Sequence, residues 1–483
     1  MPISRYFPHV NLSGLMSWAT CTVIEMQPAP SRQDAKESKI NPKIIGCEDV
    51  VWAGERMILI TFERASVPSG PHVMLAHFPK GRKGLTTQAL VGMTATIREI
   101  GTIGAPQIYA YMDYLPNPVG AEVVLMEKIP GQSLSEVWPT LHSKDLHRVC
   151  TEVVRILLML FNNRGSYICT DLLGTNVNTR PSQPPAPLSR PAVLLTAPFD
   201  QGPLINMAPQ PALYSAHQYL EALAGRIFRV FPVTPTGQPI LPRGHPSRQT
   251  GSPLKPELTD EDVAKLNGNW TNWQRLVSYH AGGYYVPHHL SAAARQLVIA
   301  LLTCRQFGIR HRDMRMSRFI VSFHSVGENE RHSRVTLTGW EHAHRAPLWS
   351  CARWPLWMDP EAGVDSDVVR EEERVLLRRL LVGILNNRFI LRESWQFFVA
   401  HVFGATERWF EDCLSTHWLT ENPLENCLYR LSRRWEYTRP GIEFPLARPS
   451  RAIEQAPKSR DAVAESVDDS SGEADTTQTQ GVD

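Results

Sequence analysis

Proline decides first what this chain is able to fold into. Residues 181–209 hold eight prolines and residues 232–256 hold seven. Proline locks its own φ and lacks a backbone N–H, so neither stretch runs through a helix interior or a central strand. Both are expected as surface loops or inserts, with a helix around residues 215–228 between them. Over the whole chain proline is 38 of 483 residues, above the usual ~5%. Long loops around the folded parts follow from that excess.

The remaining composition is that of a globular protein. Hydrophobic residues make up 42% and charged residues 20%, enough for a sizeable core. Lys+Arg number 50 and Asp+Glu 48, a net charge of +2. This near-balance gives no support to a nucleic-acid or membrane-surface binder. No run of 18 apolar residues occurs, so no membrane-spanning helix is expected. The eight cysteines form no CxxC pair and no Cys/His group with zinc spacing. Reduced thiols in an intracellular protein are the simplest reading. The first 24 residues carry one Arg and no acid, too little positive charge for a transit peptide. The expected location is cytoplasmic, with mitochondrial import as the alternative.

Periodicity sets out the elements. Residues 1–44 are Pro/Ser-punctuated and are expected as a loosely structured, variable lead-in. Met57–Phe62 and His72–Phe78 are short apolar runs spaced as a hairpin. Thr86–Arg98 is expected as a helix and Ala121–Met126 as a strand ended by Pro130-Gly131. Leu146, Val149, Val153, Leu157 and Leu160 repeat at helical spacing within 145–162. The strongest helical pattern is His289–Phe307, with Ser291 as N-cap and Gly308 as its stop. Phe319–Phe323 and Arg334–Thr338 are expected strands, and 365–440 is expected to be helical. Residues 461–483 hold seven acids and no Lys or Arg, and a disordered acidic tail is expected over 441–483.

Four stretches of sequence carry a family likeness. They are Asn117–Gly131 with Leu134–Trp138, His311–Val321, Thr338–Ala343 and Pro347–Trp349. On these the chain resembles the aminoglycoside phosphotransferase/choline kinase-like superfamily. Within it, the chain resembles the fungal phosphotransferase-enzyme-family proteins related to the altered-inheritance-of-mitochondria group. The resemblance spans roughly residues 45–360. It implies an α+β, bilobal protein-kinase-like fold, with a small β-rich N-lobe (45–130) and a large, mainly helical C-lobe (131–440). The Pro-rich inserts would lie within the C-lobe.

The resemblance also implies a set of roles. Phosphoryl transfer in such enzymes needs a positioned hydroxyl, Mg²⁺ and cations on the ATP phosphates. His311 and Asp313 match the His-x-Asp of the catalytic loop, and Asp313 would orient the acceptor hydroxyl. Met126 and Lys128 fall where adenine is held, and His77 falls at the strand cation that grips phosphate. The metal-binding Asn position is Arg318, a cation that is no ligand for Mg²⁺. The second metal-binding Asp position, before Trp340, is Gly339. Glu341, two residues on, shares a face with it on extended backbone and is the one metal candidate. The helix Glu position falls near Leu90, and the phosphate-covering turn is reduced to Ala53-Gly54-Glu55-Arg56.

Three functions stay open. The first is a degenerate, pseudokinase-like member with little or no transfer, in which Arg318 fills the vacant metal position with its own charge. The second is an active ATP- and Mg-dependent kinase acting on a small-molecule hydroxyl. The third is a scaffold that meets protein partners through the Pro-rich loops and acidic tail. The histidines 311, 342 and 344 show no second-shell pattern for a metal. The tryptophans of 340–357 are expected to be core rather than an aromatic cage.

Overall fold

A computed structural model describes residues 4–27, 41–172 except 69 and 102, 193–196, 208–230 and 291–358 except 327–329. It also describes 369–385 and 391–411 except 406, 409 and 410. The protein is α+β. Strands β1 (Ile44–Trp52), β2 (Glu55–Phe62), β3 (Val73–His77), β4 (Ile108–Met112) and β5 (Val123–Glu127) form one antiparallel sheet in the order β1-β2-β3-β5-β4. Helix α1 (Leu12–Met26) precedes it, and α2 (Leu85–Glu99) falls between β3 and β4.

Side chains alternate across a strand, and here both faces of the sheet are apolar. Ile58, Ile60, Phe62, Met74, Ala76, Val123 and Leu125 make one core with Leu15, Ala19 and Val23 of α1. Met57, Leu75, Val124 and Met126 make the other with Leu90, Val91, Met93 and Ile97 of α2. The expectation of a loose lead-in is corrected over 12–26. Asn11 caps this helix by accepting from the Gly14 N–H at 3.1 Å. Ser4 and the N–H groups of Arg5 and Tyr6 donate to Asp49 on β1, so the chain before the helix is tied to the sheet edge.

The chain then continues as β6 (Gln132–Ser133), α3 (Leu134–Val137), with a Ser133/Glu136 capping box, and α4 (Ser143–Asn162). Buried Val149, Val153, Ile156, Leu157, Leu160 and Phe161 run along α4, as their spacing requires. Strands β7 (Val193–Leu194) and β8 (Gln210–Pro211) pair before α5 (Ala216–Val230). The stretch 181–209 is therefore not all surface loop: Leu194, Leu195 and Thr196 are buried.

Helix α6 (Ala292–Leu302) starts where expected, with Ser291 Oγ accepting from Ala294 N at 3.2 Å. It ends at Thr303, five residues before Gly308. Gly308 instead opens β9 (Gly308–Arg310). A Cβ there would press on the Phe161 carbonyl and Cys351 Sγ, so close packing explains this glycine.

Strands β10 (Phe319–Val326) and β11 (Glu330–Leu337) form a hairpin, and β10 also pairs β6. Strand β12 (His344–Ala346) pairs β9 and leads to α7 (Leu348–Cys351), α8 (Glu371–Leu385) and α9 (Leu391–Phe403). Trp340, Trp349 and Trp357 are fully buried in this part, as core residues. The second Pro-rich stretch, the tail and the rest of the helical span 365–440 lie outside the described residues.

The sheet part and the helical part meet along a tight seam. A Cβ on Gly92 of α2 would overlap the Asp171 carbonyl, and one on Gly131 would overlap that of Val321. Asp171 also accepts from Thr96 of α2 at 3.1 Å and from Arg345 of β12 at 3.3 Å.

Candidate functional site

The segment 311–318 links β9 to β10 and faces the sheet part across the seam. Its base is fixed from below. Arg310 pairs with the fully buried Glu411 and donates to Ser350 Oγ at 2.8 Å. Tyr219, Arg353 and Ser350 also donate to Glu411, at 2.6, 2.8 and 2.9 Å. His311 is buried beside Trp340, edge to face at 4.7 Å between ring centres. The Asp313 N–H donates to its Nδ1 at 3.2 Å, so Nε2 carries the proton and donates to the Thr338 carbonyl at 2.9 Å. Burial drives the His311 pKa down to about 4, so the ring is neutral.

Asp313 accepts hydrogen bonds from two arginines. Arg315 donates to both oxygens, at 2.7 and 2.6 Å, and Arg318 Nε donates to Oδ2 at 2.8 Å. Burial alone would raise this carboxyl, but the Arg315 hydrogen bonds and the Arg318 charge bring its pKa down to about 2. Bidentate guanidinium–carboxylate pairs are among the strong hydrogen bonds of proteins. Here they take three of the roughly four acceptor positions of the carboxylate that would orient an acceptor hydroxyl.

Arg318 reaches further. Its Nη1 donates to the Ala53 carbonyl at 3.2 Å and its Nη2 sits 2.5 Å from Glu55 Oε1. One guanidinium thus bridges Asp313 and the β1–β2 turn. Gly339 lies directly beneath it, at φ +82°. A Cβ at 339 would come within 2.9 Å of Arg318 Cζ and Nε. The space that an acidic side chain at this position requires is filled by the arginine. Ser317 stands equally close under the turn, 2.7 Å from where a Gly54 Cβ would be.

Glu341 and His77, the metal and phosphate candidates, face each other. His77 Nε2 lies 2.9 Å from Glu341 Oε1, a close polar contact. Burial would raise the Glu341 carboxyl, but His77 and Arg318 hold it well below the usual carboxylate range. Met126 lines the cavity behind the turn together with Trp52, Met57, Leu90, Arg318 and Glu341. That cavity measures about 10 Å³. This is room for one water, against ~300–1,000 Å³ for a ligand pocket. Lys128 is exposed and lines no part of it.

The donor set does not fit a divalent metal. Mg²⁺ takes six oxygens in near-ideal octahedral geometry. Here Asp313 is paired with two guanidinium groups, position 339 has no side chain, and the Arg318 guanidinium lines the adjoining cavity. Among the described residues, no group of three or more His, Cys, Asp or Glu is placed to hold a metal. Sequence reading missed Arg315 and Glu55 as members of this cluster. Arg315 lies inside the quoted His311–Val321 stretch, and its two-residue spacing from Asp313 was the available signal. Glu55 gives no local signal, because its partner Arg318 lies 263 residues away.

No protein-family model matches the chain. Over 79 residues it is 30% identical to a subtelomeric hrmA-associated cluster protein of Aspergillus fumigatus, present in two strains. The match covers 16% of this chain and 16% of that protein, so the chain spans about a sixth of the curated relatives it matches. Among solved structures it is similar to a Plasmodium vivax ethanolamine kinase, at 10% identity and a TM-score of 0.35. That alignment covers 80% of this chain and 81% of the other. It is also similar to an aminoglycoside phosphotransferase bound to GDP and kanamycin, at 13% identity and a TM-score of 0.34, over 86% and 98% of the two chains. A single-substitution variant of aminoglycoside 2'-phosphotransferase IIIa bound to GDP matches at the same identity and TM-score, over 87% and 97%. At TM-scores of this size the site has to be read from its own residues.

Proposed function

We propose that this chain is a degenerate member of the aminoglycoside phosphotransferase/choline kinase-like superfamily, in which the nucleotide and metal site has become a closed, ion-paired junction. One observation carries the reading: Arg318, packed over Gly339, holds Asp313 and Glu55 together where metal ligands are expected. Losing one preorganised charge-stabilising donor already costs an enzyme ~10²–10³ in rate. Here both metal-ligand positions are replaced, and Asp313 is neutralised by two arginines. The stretch Asn117–Gly131 supports the finer placement among fungal proteins related to the altered-inheritance-of-mitochondria group. On this reading the chain acts by binding, with a protein partner as the expected counterpart rather than a phosphorylated small molecule.

Thermal unfolding of the full chain with ATP, with and without Mg²⁺, tests it. A ligand at 100 times its dissociation constant adds about 2.7 kcal/mol and shifts the midpoint by several degrees. The expected result is no shift in either condition. A Mg²⁺-dependent rise would overturn the reading and make Glu341 the first ligand to replace.

A further inference from the structure

We propose that Arg318 is a latch that holds the β1–β2 turn shut over the cavity behind it, and that the Arg318–Glu55 contact is the part that opens. The inference rests on the closed-site reading only in using the same guanidinium. Among the described residues, both hydrogen bonds that reach the turn from outside its own hairpin come from Arg318, to Ala53 and Glu55. The other end of the latch is anchored. Arg318 Nε is fixed on Asp313, and its carbonyl accepts from the N–H and Oγ1 of Thr338, both at 3.0 Å. Glu55 is the more accessible member, its side chain 32% accessible while that of Arg318 is 6% accessible.

One feature of the closed form works against it. The Trp52 indole N–H is buried on the cavity wall and has no hydrogen-bond partner among the described residues. Lifting the turn hydrates it. The positive φ of Ala53 and Gly54 belongs to the two-residue hairpin turn itself and travels with it. Closure thus sets ion pairing against desolvation, the balance that a two-position element needs. The open form exposes a slot walled by Trp52, Met57, Leu90 and Met126.

Hydrogen exchange followed by mass spectrometry on the full chain tests the latch. The variant is Glu55→Ala, which removes the acceptor from the turn yet leaves Arg318 to neutralise Asp313 and Glu341. Amides in peptides covering 52–57 and 314–319 are expected to exchange at least tenfold faster, with α4 unchanged. Arg318→Lys keeps the charge but lacks the planar fork, and the same local pattern is expected. Unchanged exchange at the turn, or an equal rise throughout the chain, would overturn the latch. The two readings fail separately. Mg²⁺-ATP binding by the wild type removes the degenerate site and leaves the exchange pattern standing, while unchanged exchange in a chain blind to Mg²⁺-ATP removes only the latch.

Discussion

Arg318 and Gly339 share one volume, and neither side chain is free to change alone. An acid at 339 meets the guanidinium and must also adopt φ +82°. Gly339→Asp by itself is expected to cost about 2 kcal/mol, from strain and overpacking. Arg318→Asn by itself leaves Asp313 and Glu341 short of a buried counter-charge and is expected to cost about 3–5 kcal/mol. Contacting residues couple by about 0.5–3 kcal/mol. The double variant should therefore be less destabilised than the sum of the singles in urea unfolding. Strict additivity would show that the two side chains do not compete for one volume.

Helix α1 shows how an element can be both necessary and hard to read. Its Leu15, Ala19 and Val23 pack into the core on one face of the sheet, so Leu15→Ala is expected to lower stability by about 2–5 kcal/mol. Asn11→Ala should cost about 1 kcal/mol through the lost cap. Denaturant midpoints of the two variants check both, and a silent Leu15→Ala would mean that the sheet face does not need the helix. Helix α4 was legible because apolar residues recur at clear spacing beside a polar face, and the Ser291 cap because it stands just before an apolar helical run. Helix α2, buried nearly all round, has no such contrast, and its Gly92 and threonines weaken the pattern. In α1 there is no acid in the first turn and no base in the last, and Ser, Gly and Thr break the pattern. The end of α6 was misplaced because a glycine needed for packing stood where a stop was expected. In the site, His311 and Asp313 were legible as a local motif. The pairing of Glu55 with Arg318 was not, since only the fold brings together residues so far apart in sequence.

The whole molecule carries a pH dependence through buried neutral histidines. Burial pushes His311 to about 4 and His401 to about 3, and lowers His344 well below its usual value. Their unfolded values lie near 6.5. The unfolded chain therefore gains protons first as pH falls, and stability present above pH ~6.5 is lost toward pH 4. For His311 alone the change approaches about 3 kcal/mol. Asp313 has the depressed carboxylate's window, so its contribution disappears only between pH 3.8 and about 2. Thermal midpoints should fall steadily from pH 7 to pH 5, and a flat profile would contradict neutral burial of these rings. The glycine seam has a consequence of another kind. At Gly92 and Gly131 the obstacle to a side chain is backbone, which has nowhere to go, while at Gly339 it is a side chain that a second mutation can remove. A pairwise mutagenesis map scored only for folded yield should show the first two intolerant of any side chain and the third coupled to position 318, tracing the closed junction without any ligand or assay of activity.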